Sequence, residues 1–251
     1  MKPYLSIIIP AYNEAKRLPQ TLVDIDYRLQ DADFSYEIIV VDDGSKDATV
    51  EIAKKFSELI KNLRVIANEK NKGKGGVVKQ GMLEARGHIR LFTDADNSTT
   101  IDQFKNMIPY FKEGYDVVIG SRGIKGAKLD PPQPFYRRLL GNIGNLIIQI
   151  LLLPGIKDTQ CGFKAFTEEA SQKIFPLMKI NRWGFDVEAL ALARHLGYKI
   201  KETPIIWKND IASKVKASAY LQVLMEVLKI RIWLWKDIYK IKSKIQITNV
   251  N

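Results

Sequence analysis

The sequence HIRLFTDAD, residues 88–96, decides how the rest of the chain is interpreted. It starts with a largely apolar run typical of a buried strand, and two carboxylates separated by Ala95 follow directly. Carboxylates at the carboxyl end of a strand are suited to holding a divalent cation against a diphosphate, because Mg²⁺ and Mn²⁺ prefer oxygen ligands and commonly share them with substrate phosphates. An Asp pair after a strand is also common in a loop that caps a helix, so the motif alone leaves both interpretations open.

Apolar runs and helical patterns alternate along the first half of the chain. Strands are predicted at residues 4–9, 37–41, 63–67, 88–93 and 116–120, and helices at residues 15–29, 48–60, 77–85 and 101–112. Because the strand residues are nearly all apolar, the pattern predicts an α/β domain with a mostly parallel sheet covered by helices on both faces. Ligands bind beyond the carboxyl ends of such strands, where PAYNE (10–14), DDGS (42–45), DAD (94–96) and GSR (120–122) all lie.

The second half of the chain combines a Pro-containing loop at residues 123–134 with several helices. Helices are predicted at residues 137–153, 168–175, 185–196 and 218–241, and a strand near residues 199–207. The last helix has a wide apolar face but too many charged residues to span a bilayer. We expect it to lie in a membrane interface; a core helix and the contact surface of a homo-oligomer are the alternatives. Its predicted polar stripe consists of Gln222, Glu226, Lys229, Lys236 and Lys240.

Composition and charge restrict the function classes. The 251 residues are 46% apolar, carry a formal net charge of +11 and include one cysteine and two histidines. Such a composition leaves no basis for a disulfide, a Cys/His zinc cluster or a Ser–His nucleophilic site. From residue 199 to the end, eleven Lys and Arg residues face four Asp and Glu residues. We expect this basic end to meet a membrane surface and no nucleic acid, because no nucleic-acid recognition pattern is present. With no signal-peptide pattern, a peripheral protein on the cytoplasmic face of a membrane is expected.

Five motifs in order resemble the inverting family-2 glycosyltransferases with the GT-A fold: SIIIPAYNE (6–14), IVVDDGS (39–45), NKGKG (71–75), DAD (94–96) and GSR (120–122). Further along, DTQCGFK (158–164), WGFDVE (183–188) and Trp207 with Ser213 and Lys214 resemble the dolichyl-phosphate β-glucosyltransferase branch, a close relative of the dolichyl-phosphate mannose synthases. The resemblance implies a GT-A domain at residues 1–215, with a nucleotide-sugar half (1–122) and an acceptor half (123–215). An amphipathic membrane-associating helix and a basic tail (216–251) follow.

The function implied by the resemblance is transfer of a hexose, glucose from UDP-glucose, to a polyprenyl (dolichyl-type) phosphate with inversion. Two alternatives stay open: a mannose synthase-like enzyme that uses GDP-mannose, and a family-2 enzyme that extends a glycan. The implied cofactor is Mg²⁺ or Mn²⁺ at Asp94 and Asp96. Ser98 stands where mannose synthases often have a glutamine, so the resemblance does not choose between the two metals.

The resemblance also implies individual residue roles. The nucleotide-sugar residues are Pro10, Tyr12, Glu14, Asp42, Asp43, Lys74 and Asp94; the catalytic residues are Asp96, Arg122 and Asp158; and the acceptor phosphate residues are Arg122, Arg137, Arg138 and Lys214. From the residues alone, Asp42 and Asp43 either accept hydrogen bonds from the nucleotide or form a turn before a helix.

The role of Asp158 is open for a chemical reason. A phosphate monoester is already an anion near neutral pH, because its second pKa is about 6. A lipid phosphate therefore needs cations more than it needs a general base. Asp158 is either the base invoked for relatives or a group that orients Arg122 or Lys164. We expect Asp186 and Glu188 to brace the segment around Trp183, Cys161 to be a packed core residue, and His195 to lie on a helix surface.

Overall fold

The computed structural model describes residues 2–131, 135–208 and 217–241, and within residues 135–140 and 217–220 only the backbone is described. Nine strands are found in these residues: β1 Leu5–Ala11, β2 Tyr36–Asp42, β3 Leu63–Ala67, β4 Ile89–Thr93, β5 Val117–Ser121, β6 Lys128–Asp130, β7 Phe163–Thr167, β8 Ile200–Pro204 and β9 Ile206–Lys208. Seven of them form one sheet in the order β3-β2-β1-β4-β7-β5-β8, and β6 pairs with β9 in a second, two-stranded sheet.

Helices cover both faces of the large sheet, as the sequence predicts. They are α1 Leu18–Leu29, α2 Thr49–Leu59, α3 Lys74–Glu84, α4 Ile108–Lys112, α5 Phe135–Leu151, α6 Glu168–Ile174, α7 Phe185–His195 and α8 Ala217–Trp235, with short 3₁₀ helices at Ile101–Asn106 and Phe175–Leu177. Successive strand side chains point to opposite faces. Ile8 therefore belongs to the core cluster under α3 and α7, whereas Ile7 and Ile9 belong to the cluster under α1.

Strand β7 was not predicted. It lies between β4 and β5 and runs antiparallel to both, while every other neighbouring pair in the sheet is parallel. Its sequence FKAFT has a lysine at the second position, which interrupts the apolar pattern of a buried strand, yet the Lys164 side chain is fully buried. The sheet thus remains mostly parallel, with one reversed strand beside the Asp94–Asp96 motif.

The orientation of α8 corrects the predicted polar stripe. Glu226 was assigned to the outward polar face, but it is buried together with Val227 and Ile230. The exposed part of the helix carries five large apolar side chains, Leu221, Met225, Leu228, Ile232 and Trp235, alongside the basic residues Lys229 and Arg231. The helix also ends at Trp235, earlier than predicted, and Asp237 shortly beyond it has a φ of 50°, which does not continue a helix.

Helix α5 packs against α8 and adds a second exposed apolar row, formed by Ile143, Leu146 and Ile150. Spacings of three and four residues place each row on one side of its helix. Within the described ranges, no helix is both long and apolar enough to cross a bilayer. The boundary predicted between residues 215 and 216 lies outside the described residues.

Candidate active site

The polar motifs gather beyond the carboxyl ends of β1, β2, β4 and β5, on one edge of the sheet. Asp94 and Asp96 follow β4, with Asn97 in a left-handed conformation (φ 53°) that turns the chain away from the strand. The backbone N–H of Ser98 donates to Asp96 Oδ1 at 3.0 Å. Burial and the neighbouring charge of Asp94 raise the pKa of Asp96 above its ordinary value. A bound cation would relieve this crowding of two like charges.

Lys74, the first residue of α3, reaches the same carboxylates. Its Nζ lies 2.6 Å from Asp94 Oδ1. That oxygen is buried and makes no hydrogen bond of normal geometry to the described residues, so the contact is an ion pair without hydrogen-bond alignment. Burial alone disfavours the charged ammonium, but the negative charges of Asp94 and Asp186 outweigh it and raise the pKa of Lys74.

The paired acids fit a divalent cation. Mg²⁺ and similar ions commonly take one or two protein carboxylates and complete their coordination with water and substrate phosphates. The described ranges contain no group of three or more His, Cys, Asp and Glu side chains placed to hold a metal. Asp94 and Asp96 would therefore hold such an ion together with substrate phosphate oxygens, and at Asp94 Oδ1 the ion would have to share or displace the Lys74 ammonium.

Gly162 closes this site from the side of β7 and was not predicted. A Cβ atom at this position would lie 2.1 Å from Asp94 Oδ2 and 2.5 Å from Asp94 Cγ. Real Cβ atoms do not approach other atoms so closely, so only glycine leaves room for this carboxylate. The sequence signal was a glycine within the DTQCGFK motif, but the neighbour that requires it is 68 positions away.

The residues after β1 line another side of the site. Tyr12 is exposed, and the Glu14 carboxylate accepts a hydrogen bond from Arg17 Nε at 2.6 Å. Arg17 Nη1 in turn lies 3.9 Å from Asp96 Oδ2. Arg17 was not predicted, although it follows Glu14 at helical spacing. Pro10 is buried in β1, where it lies opposite Val41 of β2.

Both acids after β2 bind the backbone of their own chain. Asp42 accepts hydrogen bonds from the N–H groups of Gly44 and Ser45, each at 2.9 Å. Asp43 accepts from Lys72 N at 2.5 Å and Gly73 N at 3.0 Å, which fixes the loop before α3. Burial raises the pKa of Asp43, and these two bonds oppose the increase. The contacts are those of the turn-forming interpretation; contact of either acid with a nucleotide stays a prediction.

Arg122, directly after β5, and Asp158 form a bidentate ion pair. Nε donates to Oδ2 at 2.7 Å, Nη2 donates to Oδ1 at 3.0 Å, and the backbone N of Arg122 donates to Oδ2 at 2.8 Å. Burial favours the neutral acid, but the charge and hydrogen bonds of Arg122 lower the pKa of Asp158 below its ordinary value. Burial lowers the pKa of Arg122, but the negative charge of Asp158 and its hydrogen bonds to Arg122 oppose this effect, so the pKa of Arg122 is raised overall.

The Arg122 guanidinium also lies over Trp207 of β9, 5.3 Å from the ring centroid. Gln103 fixes β9 by donating to the Ile206 carbonyl at 2.9 Å and accepting from its N–H at 2.6 Å. The aromatic ring and the carboxylate together hold the guanidinium in one orientation. The sequence did not predict that Trp207 would contact Arg122 or that Gln103 would hold β9, because both roles depend on contacts between residues far apart in sequence.

A second ion pair, Lys164–Asp186, lies in the interior behind Asp94. Lys164 Nζ is 3.0 Å from Asp186 Oδ1 and also donates to the Cys161 carbonyl. Burial raises the pKa of Asp186, and Lys164 opposes the increase. The Cys161 side chain is buried, which raises the pKa of its thiol to about 12, so it is a neutral core residue as expected.

Glu188 braces the segment before α7, as expected, whereas Asp186, which was expected to do the same, pairs with Lys164. Its carboxylate accepts hydrogen bonds from Lys179 N at 2.9 Å, Ile180 N at 2.8 Å and Tyr239 Oη at 2.7 Å. His195 is exposed at the end of α7. The structure thus assembles the predicted donor residues and the Arg122–Asp158 pair on one sheet edge. The side chains of Arg137 and Arg138, and the whole of Lys214, lie outside the described residues.

Comparison with known proteins identifies the family. The family model described as glycosyl transferase family 2 matches residues 6–175. A dolichyl-phosphate beta-glucosyltransferase of Dictyostelium discoideum is 40% identical over 253 residues, which cover 96% of this chain and 77% of that protein. The dolichyl-phosphate beta-glucosyltransferase of Homo sapiens is 36% identical over 242 residues, which cover 91% of this chain and 75% of that protein.

Among solved structures, glucosyl-3-phosphoglycerate synthase from Mycobacterium tuberculosis, in complex with Mn²⁺, UDP-glucose and phosphoglyceric acid, has the same fold. The TM-score is 0.66 at 19% identity, over 91% of this chain and 80% of that chain. This similarity confirms the expected GT-A architecture. The match to the family model and the identity to these relatives show that the chain belongs to glycosyl transferase family 2, in the branch of the dolichyl-phosphate β-glucosyltransferases.

Proposed function

We propose that this enzyme transfers glucose from UDP-glucose to a dolichyl-type polyprenyl phosphate, with inversion at the anomeric carbon. The observation that carries the proposal is the Arg122–Asp158 ion pair. Its carboxylate is held by three hydrogen bonds from Arg122 and has a lowered pKa, so it is a poor proton acceptor. An acceptor that is already ionised, such as a phosphate monoester, suits a site of this kind.

The donor half of the proposal rests on the paired acids and on the relatives. A structure with the same fold holds Mn²⁺ and UDP-glucose, and the two similar proteins are named as glucosyltransferases. When bound at Asp94 and Asp96, Mg²⁺ or Mn²⁺ neutralises the charge of the departing diphosphate. Lys74, at the start of α3, supplies a further positive charge beside the first carboxylate. We assign donor binding to residues 1–122 and acceptor binding to residues 123–215.

The acceptor is positioned by Arg122. Asp158 occupies Nε and Nη2, whereas Nη1 makes no hydrogen bond within the described part of the chain. Nη1 is therefore the edge of the guanidinium that can donate to an incoming phosphate. We take the donor carboxylates and the acceptor guanidinium to share one site, because Asp94 follows β4 and Arg122 follows β5 at the same edge of the sheet. Arg137, Arg138 and Lys214 stay predicted acceptor residues.

The exposed apolar rows of α5 and α8 suit a lipid-borne acceptor. We propose that this surface, defined by Ile143, Leu146, Ile150, Leu221, Met225, Leu228, Ile232 and Trp235, lies in a membrane interface. The exposed basic residues of α8 and of the turn beyond it, Lys229, Arg231 and Lys236, favour anionic headgroups. The cytoplasmic side of the membrane stays a prediction, and a homo-oligomer contact through the same surface is the competing outcome.

Product analysis with purified full-length protein tests the proposal. UDP-glucose and GDP-mannose, each labelled in the sugar, are incubated with dolichyl phosphate in detergent and a divalent cation, and lipid products are separated by thin-layer chromatography. We expect labelled lipid from UDP-glucose, none from GDP-mannose, and none after a chelator is added. Labelled lipid from GDP-mannose alone would establish a mannose synthase. Transfer to a soluble glycan without dolichyl phosphate would establish a glycan-extending enzyme.

A further inference from the structure

Glu226 is a buried acid on an otherwise apolar stretch of α8. Its Oε2 accepts a hydrogen bond from the backbone N–H of Gly184 at 2.6 Å, and its Oε1 accepts one from Gln222 at 2.9 Å. A Cβ atom on Gly184 would lie 2.8 Å from Glu226 Oε2 and 2.9 Å from its Cβ. Helix α8 is therefore seated directly on the backbone at the start of α7.

The residues on either side of Gly184 contact the donor site. Lys74 Nζ lies 6.0 Å from the ring centroids of both Trp183 and Phe185, and 2.6 Å from Asp94 Oδ1. The start of α3 is packed against the same segment, since a Cβ on Gly75 would lie 2.6 Å from Phe185 Cβ. The position of these aromatic residues thus determines where the Lys74 ammonium can lie.

We infer that Glu226 is a positioning residue for the donor site: it fixes Gly184, and through the two aromatic neighbours it holds Lys74 against Asp94. Burying a carboxylate costs free energy that a packed apolar side chain would not incur, so the fold of α8 alone does not account for this acid. The inference rests on the proposed function, because it takes the donor to be a uridine diphosphate sugar. It links the helix that carries the apolar surface to the site where the nucleotide binds.

Tyr239 provides a matched control. Its hydroxyl donates to Glu188 at 2.7 Å, and Glu188 holds Lys179 and Ile180. Through Glu188, Tyr239 thus connects the chain beyond α8 to residues 179–180, a few positions before Gly184. A substitution here removes a buried hydrogen bond between the same parts of the molecule, but it leaves the contact between Gly184 and Glu226 in place.

The test measures UDP binding in the presence of Mn²⁺ by isothermal titration calorimetry, with Tm recorded for each full-length variant. We expect Glu226→Ala to raise the Kd for UDP about three- to tenfold. Glu226→Gln should keep wild-type affinity, because it retains an acceptor oxygen for Gly184. Tyr239→Phe should lower Tm without changing Kd. Wild-type Kd in folded Glu226→Ala, or an equal rise in Tyr239→Phe, would overturn the inference. If Glu226→Ala does not fold, Trp183→Leu becomes the deciding variant, and an unchanged Kd there overturns it.

This readout separates the inference from the proposed function. Wild-type protein that binds no UDP contradicts the proposed donor. Wild-type protein that binds UDP, together with a Glu226→Ala variant that binds it equally well, contradicts only the positioning role.

Discussion

Replacing Asp158 with asparagine separates the two roles considered for this residue. Its carboxylate accepts three hydrogen bonds from Arg122, and an asparagine oxygen keeps only part of them while its amide group faces a guanidinium donor. Hydrogen bonds to charged groups contribute about 1.5–3 kcal/mol each, and breaking a buried ion pair costs about 3–5 kcal/mol. About a quarter of the Arg122 side chain (26%) is exposed. We therefore expect Asp158→Asn to lower the free energy of unfolding by less than the loss of a fully buried pair, by about 2–4 kcal/mol, as measured by urea denaturation.

The kinetic consequence differs between an orienting group and a base. A misplaced Arg122 should raise the KM for dolichyl phosphate about ten- to hundredfold, which corresponds to about 1.4–2.8 kcal/mol. Removal of a general base should instead lower kcat by about 10²- to 10⁴-fold. We expect the first pattern, with kcat reduced less than about tenfold.

The pH profile gives a second criterion. Because the pKa of Asp158 lies below its ordinary value, this acid cannot cause a loss of activity as pH falls towards 6. The second ionisation of the acceptor phosphate, near pH 6, can. The acidic limb of kcat/KM should therefore persist in Asp158→Asn. Its disappearance would refute the orienting role.

A double-mutant cycle with Arg122→Ala completes the test. If Asp158 acts only through Arg122, adding Asp158→Asn to the Arg122→Ala variant should change the KM for dolichyl phosphate less than about twofold. A further loss in kcat of the size seen with Asp158→Asn in the wild-type background would show an independent role for the carboxylate. The reasoning about an acceptor that needs no base would then be wrong.

Three further perturbations test the donor site and the apolar surface. Gly162→Ala should displace Asp94 and lower kcat about 10²-fold, since small misplacements of reacting groups are costly; Gly144→Ala, where a Cβ meets open space, should leave kcat unchanged in the same assay. Activation by Mn²⁺ should need higher Mn²⁺ at pH 5.5 than at pH 7.5, because protonation of Asp96, whose pKa is raised, competes with the metal; a titration that is independent of pH would contradict this. Leu228→Glu should weaken binding to phosphatidylserine-containing vesicles about tenfold, measured by cosedimentation, while Leu59→Glu, on exposed α2, should not; equal effects would exclude a specific surface.

Much of the fold was predictable because its strands are continuous apolar runs. The strand predicted at residues 37–41 is β2 at Tyr36–Asp42, for example, and the helices between strands follow from the alternation. Strand β7 was missed because Lys164 interrupts its apolar pattern. The lysine is tolerated in the interior only because Asp186 of α7 neutralises it, a contact between residues far apart in sequence that no local pattern reveals.

The direction of α8 was mispredicted for a related reason. Periodicity places Glu226 with the polar residues, and an acid is normally assigned to solvent. It points inward because its carboxylate accepts a hydrogen bond from the backbone N–H of Gly184 at the start of α7. The requirement for glycine at position 162 could not be predicted either, because it depends on the Asp94 carboxylate, which is close in space but far away in sequence. Motif residues were predictable, and so was an orienting role for Asp158, whereas Gly162 and Glu226 act through neighbours that no local pattern reveals.

Charge is distributed differently on the two sides of this site. On the donor side Glu14, Asp96, Asp94 and Asp186 alternate with Arg17, Lys74 and Lys164, so the acids outnumber the bases. We expect a nucleoside diphosphate sugar to bring further negative charge, which a divalent cation at Asp94 and Asp96 would neutralise. On the acceptor side Arg122 and Asp158 neutralise each other, so this pair adds no net charge, and attraction of the lipid phosphate would depend on the predicted residues Arg137, Arg138 and Lys214. We expect the remaining guanidinium N–H groups to orient the acceptor phosphate, which requires that Asp158 and Trp207 hold Arg122 in place.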